Sequence, residues 1–385
     1  MTTVEQTATP EVVLASAHQL APAIAARAAE IEAARRTPPD LLEALIEAGC
    51  FRVLLPTSHQ GVGADLAGAL RIIDALARAD ASVGWTVMIG GMGWCDLAGL
   101  PRATFDDLFA PPDVIVAGAF NPSGSISAAG SGYRVTGRWG FASGCEHARW
   151  LYGNCIEGID DGRPRMRMAV LAPHEIVIED TWDVSGLRGT GSHHFHADGV
   201  VVPAERTFVP LGDEPCLDDP VVRVPLPSMF ALGIAAVAAG TAQGALDDIL
   251  ALAAGKVPLL APAALATNPL FQFELATADS ELRAARALLY ESAESAWATA
   301  AAGTGFTLEQ RARLRAAAVW ATTRAAAVVD FAYRSGGGTS LYAGCPLQRR
   351  QRDIHAMTQH FLVKRDALAT AGGVLAGQGL SVPVF

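Results

Sequence analysis

Gly137-Arg138-Trp139-Gly140-Phe141-Ala142-Ser143-Gly144-Cys145-Glu146-His147-Ala148-Arg149-Trp150 crowds aromatic bulk, three glycines and a hydroxyl into one short segment. Flat side chains stack on a planar ligand, and glycine lets the backbone approach it. A serine hydroxyl can hydrogen-bond a ring nitrogen. Downstream, Trp182-Asp183-Val184-Ser185-Gly186-Leu187-Arg188-Gly189-Thr190-Gly191-Ser192 supplies further glycines and hydroxyls. The two stretches read as halves of one cradle for a flat heteroaromatic ligand.

Around the cradle the chain is rich in Val, Ile, Gly and Trp. Short runs such as Val114-Ile115-Val116, Tyr133-Arg134-Val135, Met168-Ala169-Val170-Leu171 and Gly199-Val200-Val201-Val202-Pro203 are separated by turn residues. This pattern predicts an antiparallel β domain over 113–224. Before it, residues 1–112 carry helical spacing in Leu14–Ala34, Leu41–Ala48, Leu66–Ala79 and Ala81–Ala98. After it, residues 225–385 predict four long Ala-rich helices, Leu226–Ala254, Asn268–Ala301, Thr307–Ser335 and Pro346–Leu375. The expected class is α+β, with an N-terminal helical domain, a middle antiparallel β domain and a C-terminal four-helix bundle. A cleft between a β lobe and a bundle is a common place for a cofactor.

With 385 residues, 51% of them hydrophobic, the chain can bury a large core. Its net charge of −10 and lack of a basic tract argue against nucleic acid as a partner. Six scattered cysteines without CxxC spacing read as thiols in a reducing compartment. The polar stretch Met1–Pro10 does not read as a secretory signal. Val224–Leu246 is long enough to span a bilayer, but its Pro, Ser, Thr, Gln and Gly fit a buried bundle helix better. A cytoplasmic setting without membrane attachment is expected. His193-His194-x-His196 lacks a usable third ligand, so no metal is expected. There is no GxSxG for hydrolysis and no GxGxxG after a strand for a nicotinamide cofactor.

The order of lobes and several motifs resemble the acyl-CoA dehydrogenase fold superfamily, and within it the two-component (group D) flavin-dependent monooxygenases. The matching pieces are Ser82-Val83-Gly84-Trp85, the two cradle stretches, Gly199–Pro203, and Pro346-Leu347-Gln348-Arg349…Arg352-Asp353-Ile354-His355-Ala356…His360. The resemblance covers nearly the whole chain. It implies a homotetramer that takes reduced FMN or FAD from a separate NAD(P)H-dependent flavin reductase. Such an enzyme reacts with O2 through a C4a-(hydro)peroxyflavin. Ser143 would bond flavin N5, and His360 would stabilise negative charge as O2 takes up electrons. Arg352 and Asp353 would fix helices or subunits. Arg188, Gly189, Thr190, Gly191 and Ser192 would meet the flavin's pyrimidine edge or phosphates, or else form a tight turn. Trp139 and Phe141 would wall the flavin or fill the lobe core. The substrate would lie against Trp85, Met92, Gly93, Trp94 and Phe120. His355 and His360, placed on one helix, would point about 140° apart.

Two departures from the family refine this expectation. The places where a dehydrogenase keeps its glutamate base, Gly336–Gly344 and Met229–Leu246, hold no carboxylate. Phenol hydroxylases of this branch place a histidine where Gly93 stands, and a hydroxyl near Ala117-Gly118-Ala119. The substrate pocket is therefore expected to be wider and less polar, suited to a bulky aromatic or natural-product substrate, or to an amine or sulfur centre. The rival readings are a flavin dehydrogenase or oxidase on another substrate, and a catalytically silent flavin-binding homologue.

Overall fold

Short polar residues start the helices that the apolar spacing predicts. In this computed structural model, which describes residues 9–379, the first six helices are α1 (Pro10–Ala26), α2 (Ala28–Ala34), α3 (Pro39–Glu47), α4 (Leu66–Ala79), α5 (Ala81–Met92) and α6 (Arg102–Phe109). Thr9, Asp65 and Asp80 cap α1, α4 and α5, each accepting from backbone N–H groups of the first turn. Met1 to Ala8 of the polar N-terminal stretch lie outside the described residues.

Two predicted helices are divided. Leu14–Ala34 is not one helix. Pro22 withdraws a backbone donor within α1, and the chain leaves helical geometry at Arg27 (φ −104°, ψ 10°). There the Arg27 guanidinium binds both Glu30 and Asp40. Ala81–Ala98 ends as an α-helix at Met92 and tightens into a 3-10 turn over Gly93–Gly99. Its glycines are weak helix formers used for close packing. A Cβ at Gly90 would sit 2.8 Å from Phe51 Cδ1 and 3.0 Å from Ile115 Cγ2.

The middle lobe is one seven-stranded sheet: β1 (Val116–Ala129), β2 (Gly132–Trp139), β3 (Trp150–Asp160), β4 (Arg163–Leu171), β5 (Val177–Glu179), β6 (His194–Pro203) and β7 (Thr207–Phe208). The order across it is β5-β6-β2-β1-β3-β4-β7. The antiparallel expectation holds for every pairing except β1 with β3, which is parallel, Val116 facing Trp150. The 140–149 connection passes the start of β1 and enters its second edge in the same direction, so the sheet is mixed. Trp139 is fully buried in this lobe. It stacks on Phe195 at 5.0 Å and donates its indole N–H to the Asn154 carbonyl at 2.8 Å. Cβ atoms at Gly124, Gly137 or Gly153 would come within 2.4–2.7 Å of its ring, so three glycines make room for one tryptophan. Trp139 therefore fills the sheet core and is withdrawn from the set of ligand-facing residues.

After the short α7 (Pro220–Arg223) come α8 (Leu226–Gly255), α9 (Pro269–Ala302) and α10 (Leu308–Ser335), close to the predicted ends. Asn268 caps α9, and a Thr307–Gln310 capping box opens α10. Helix α8 is long and apolar enough to cross a bilayer, yet 89% of its most apolar window is buried inside the protein. It lies against α4 so closely that a Cβ at Gly240 would sit 2.2 Å from the Asp74 carbonyl. Asp74 of α4 accepts from Arg286 and from Tyr290 Oη (2.6 Å), both on α9. The two helical lobes thus share one core, and the sheet keeps a second.

The fourth long helix is broken into α11 (Pro346–Met357) and α12 (Ala367–Leu375), with a 3-10 turn at Phe361–Val363 between them. Thr358 Oγ1 donates to the His355 carbonyl at 2.7 Å, and His360 turns extended (φ −68°, ψ 131°) to cap the 3-10 turn. His355 and His360 are accordingly not on one helix. His355 pairs with Asp330 of α10 at 2.8 Å, while His360 sits at the break.

Candidate active site

The two cradle stretches are knit together by backbone. Gly144 N–H donates to the Thr190 carbonyl at 2.9 Å, and Ala142 N–H to the His193 carbonyl at 3.2 Å. Gly144, at φ +72°, makes the turn that sends Ser143 inward, a conformation that glycine adopts without strain. The 188–190 turn lies on α2 and α5. A Cβ at Gly189 would strike Ile31 Cγ2 at 2.4 Å and Ser82 Cβ at 2.9 Å, which explains that glycine by packing.

At the junction is a chain of buried hydroxyls. Trp85 Nε1–H of α5 donates to Ser143 Oγ at 3.0 Å. Ser143 Oγ lies 2.7 Å from Ser192 Oγ, and Ser192 Oγ 2.7 Å from Thr190 Oγ1. Thr190 Oγ1 donates to the Leu187 carbonyl at 2.8 Å, where the Trp182 indole N–H also arrives at 3.0 Å. Leu187 is a non-glycine residue in left-handed geometry (φ 54°, ψ 33°), and its N–H is held by Asp353 Oδ1 at 2.6 Å. Beside it, Arg352 donates to the Ser185 carbonyl at 2.5 Å and pairs with Glu32 at 2.5 Å. Arg352 and Asp353 of α11 thus fix the 185–187 loop.

His360 reaches the same junction from the bundle, its ring meeting the Trp85 ring edge-on at 5.8 Å. Burial, helped by the charge of Arg315, pulls its pKa down to about 4, so the imidazole is neutral at pH 7. Its Nδ1 accepts the Leu362 N–H at 3.3 Å, which places the proton on Nε2 as a donor. Asp353 moves the other way. Burial first, and the Asp80 charge second, push its carboxyl up to about 7.

The remaining candidates divide. Phe141, at φ 64° and 75% exposed, stands open beside Trp182 and His194, as a stacking surface would. Arg188 turns back to Asp183 and the Val184 carbonyl, within its own loop. Of the substrate candidates, Trp85 alone is bonded to Ser143. Met92 packs under α8 near Gly233, Trp94 meets Phe105 in the N-terminal core, and Phe120 is half-buried on β1. The glycines at 93 and 118 do not widen a pocket, because Val116 takes the space at the first and Tyr152 at the second. A Cβ at Gly93 would strike Val116 Cγ2 at 2.8 Å, with Tyr152 Oη in ordinary contact at 3.6 Å, and one at Gly118 would strike the Tyr152 ring at 2.5 Å. Tyr152 donates to buried Asp96 at 2.7 Å, and burial lifts Asp96 to about 7. Asp96 also borders a cavity of about 220 Å³ with Phe208, Leu226 and Arg311. Sequence reasoning missed this acid–phenol pair, since nothing local links residues 56 positions apart. His196 pairs with Glu179 at 2.8 Å, and His193 Nδ1 accepts from Thr181 and Trp182 N–H. Among the described residues no group of three or more His, Cys, Asp or Glu could hold a metal ion.

The residues suit a flavin. An open aromatic face, a hydroxyl beneath an indole and a neutral imidazole donor converge where sheet, N-terminal helices and bundle meet. Comparison with known proteins agrees. Residues 7–98 match the family described as acyl-CoA dehydrogenase, N-terminal domain, and residues 232–365 its C-terminal domain. The chain is 33% identical to an indole-3-acetate monooxygenase of Pseudomonas putida, over 92% of this chain and 90% of that one. It is 30% identical to the oxygenase component of an FADH(2)-dependent resorcinol hydroxylase of Rhizobium sp., over 90% and 89%. The crystal structure of 3-HSA hydroxylase from Rhodococcus sp. RHA1 superposes with a TM-score of 0.89 at 29% identity, covering 97% of this chain and 99% of that one.

Proposed function

This chain belongs to the acyl-CoA dehydrogenase family, in its flavin-dependent monooxygenase branch, and on that premise we propose that it is the oxygenase component that inserts one oxygen atom into an aromatic substrate. The observation that carries this reading is the meeting of Ser143, Trp85 and neutral His360 at the three-lobe junction. Reduced flavin held at this junction would supply the two electrons with which one oxygen atom of O2 enters the substrate while the other leaves as water. Ser143 would hold the flavin edge, His360 Nε2–H would donate toward negative charge developing on oxygen, and the buried Trp85 indole would keep water away.

The cofactor is reduced FAD, delivered by a separate NAD(P)H-dependent reductase. The resorcinol hydroxylase relative, an FADH(2)-dependent oxygenase component, supports this reading. The relatives' names, indole-3-acetate and resorcinol, support the aromatic substrate class. The setting is cytoplasmic, in keeping with six free thiols, of which Cys50, Cys145 and Cys155 are pushed up to about 12 by burial. The protein is a homotetramer. Leu259 and Leu260 are 92% and 96% exposed at the α8–α9 turn, and Leu270 and Phe273 stand exposed at the start of α9. Phe273→Asp combined with Leu260→Asp is expected to shift the particle to smaller species in analytical ultracentrifugation. An unchanged sedimentation coefficient would remove this face from the interface.

The reading is tested with anaerobically reduced FAD, isotopically labelled dioxygen and an aromatic panel that includes indole-3-acetate and resorcinol. Label is expected in a product made by the wild type and greatly reduced with Ser143→Ala, which instead releases hydrogen peroxide. Reduction of bound oxidised flavin by a substrate without dioxygen would show a dehydrogenase and overturn the proposal.

A further inference from the structure

Proton counting, started from the short Thr190–Leu187 contact, gives the hydroxyl chain a direction. The Leu187 carbonyl, which also takes the Trp182 indole N–H at 3.0 Å and the Thr190 N–H at 3.2 Å, carries no proton, so the 2.8 Å contact between it and Thr190 Oγ1 holds the threonine's single proton. Thr190 then has only lone pairs to offer Ser192, 2.7 Å away, and Ser192 must donate. Ser192 in turn has only lone pairs for Ser143, so Ser143 spends its own proton on Ser192 at 2.7 Å. The Trp85 indole, a donor with no acceptor capacity, takes one lone pair of Ser143 at 3.0 Å. Ser143 is left with one open position, and that position accepts.

We propose that Thr190 and Ser192 are positioning residues that lock the Ser143 hydroxyl as a hydrogen-bond acceptor, and so make the site select reduced over oxidised flavin. This rests on the flavin reading above. Reduced flavin presents N–H at N5, which an acceptor satisfies. Oxidised flavin presents a lone pair there, which meets a second lone pair and loses its bond to water. A lone serine would rotate its hydroxyl and serve both forms equally. The relay removes that freedom because each hydroxyl's proton is already assigned. The Asp353 bond to Leu187 N–H anchors the residue whose carbonyl sets the direction. The consequence for a monooxygenase is a site that holds the flavin that reacts with dioxygen and releases the spent form.

The test is the ratio of dissociation constants for oxidised and reduced FAD, measured anaerobically by fluorescence or ultrafiltration. Wild type is expected to favour the reduced form. Ser192→Ala frees the Ser143 proton to turn toward N5, and the ratio is expected to fall about tenfold, the worth of one hydrogen bond, chiefly through tighter oxidised-flavin binding. Thr190→Val, of nearly the same shape, lets Ser192 reverse and is expected to act likewise. Thr190→Ser restores the hydroxyl and the ratio. A merely structural role would weaken both redox forms together and leave the ratio alone, and that result overturns the proposal. If Ser192→Ala does not fold, Thr190→Val against Thr190→Ser makes the same comparison. A wild type that binds neither form overturns the flavin reading itself, whereas unchanged ratios in folded, flavin-binding variants overturn only the relay.

Discussion

Replacing His360 by alanine is expected to slow the reaction of the reduced-flavin complex with dioxygen by about 100-fold, the usual loss when one preorganised donor to developing negative charge is removed. Stopped-flow reoxidation measures it, and flavin affinity is expected to change by less than about tenfold, because the donor matters chiefly once charge appears on oxygen. The protonation state makes the expectation specific. With its pKa drawn down to about 4 by burial and by Arg315, and Nδ1 taken by Leu362 N–H, the ring acts as a neutral Nε2–H donor. The wild-type reoxidation rate should therefore show no step between about pH 5.5 and 8, where an ordinary histidine titrates. An imidazolium would instead lose its effect progressively above its pKa. A His360→Ala variant as fast as wild type would remove His360 from the mechanism. A wild-type step near pH 6.5 that vanishes in the variant would show that the imidazolium, not the neutral ring, is the working form. The same depression has a cost for the fold. Both His147 and His360, at about 4, stay neutral while the unfolded chain begins to take protons near 6.5. Their contribution to stability is thus whole above about pH 6.5 and declines toward pH 4.

How much of this was legible from residues alone differs by the range of the interaction. Helix starts at Asp65, Asp80, Asn268 and Thr307 rest on side chains bonding backbone two or three residues away, so sequence carries them. The β lobe and the cradle were legible for a similar reason. Turns and alternation are local, and Ser143 and Thr190–Ser192 stand in motifs with a recognisable neighbourhood. What escaped was set by distant partners. Trp139 belongs to the core because Gly124, Gly153 and Phe195, on three other strands, close around it. Its own segment suits a ligand wall equally well. The parallel β1–β3 pairing depends on where a connection crosses the sheet, which alternation does not encode. The break after Met357 lies in a stretch with no proline or glycine, so helical spacing ran through it, and His360's cap on Leu362 is seen only in three dimensions. Val116 and Tyr152 occupy the space at Gly93 and Gly118 from strands whose sequences say nothing of those glycines. Glycine at a family position signals space only when no neighbour has moved in.

Asp353 is expected to show the largest combined effect on fold and site. Asp353→Ala strips the buried Leu187 N–H of its partner at a residue already in left-handed geometry. A buried donor left unpaired costs about 1–3 kcal/mol, and the strained loop has no other anchor at that atom. Reduced-flavin affinity should fall about tenfold, the worth of the one bond that Ser143 offers the flavin, because release of the Leu187 anchor displaces the loop that carries Thr190 and Ser192 beneath Ser143. Asp353→Asn keeps an acceptor for the N–H, so it should fold and retain most of the affinity. The pH dependence separates an anchoring acid from a generic buried polar group. The carboxyl lies near 3.8 when unfolded and about 7 when folded. Between those values the folded state keeps a proton that the unfolded chain has released. Wild-type stability therefore carries a penalty that grows as pH rises from about 4 and levels off near 7. Asn cannot titrate, so urea unfolding should show Asp353→Asn gaining on wild type across that window and running parallel above it. Asp96, lifted to a similar value, is present in both proteins and cancels from the difference. Parallel curves throughout would mean that Asp353 is not held protonated by the fold. An Asp353→Ala protein that binds reduced flavin as tightly as wild type would sever the loop anchor from the flavin site.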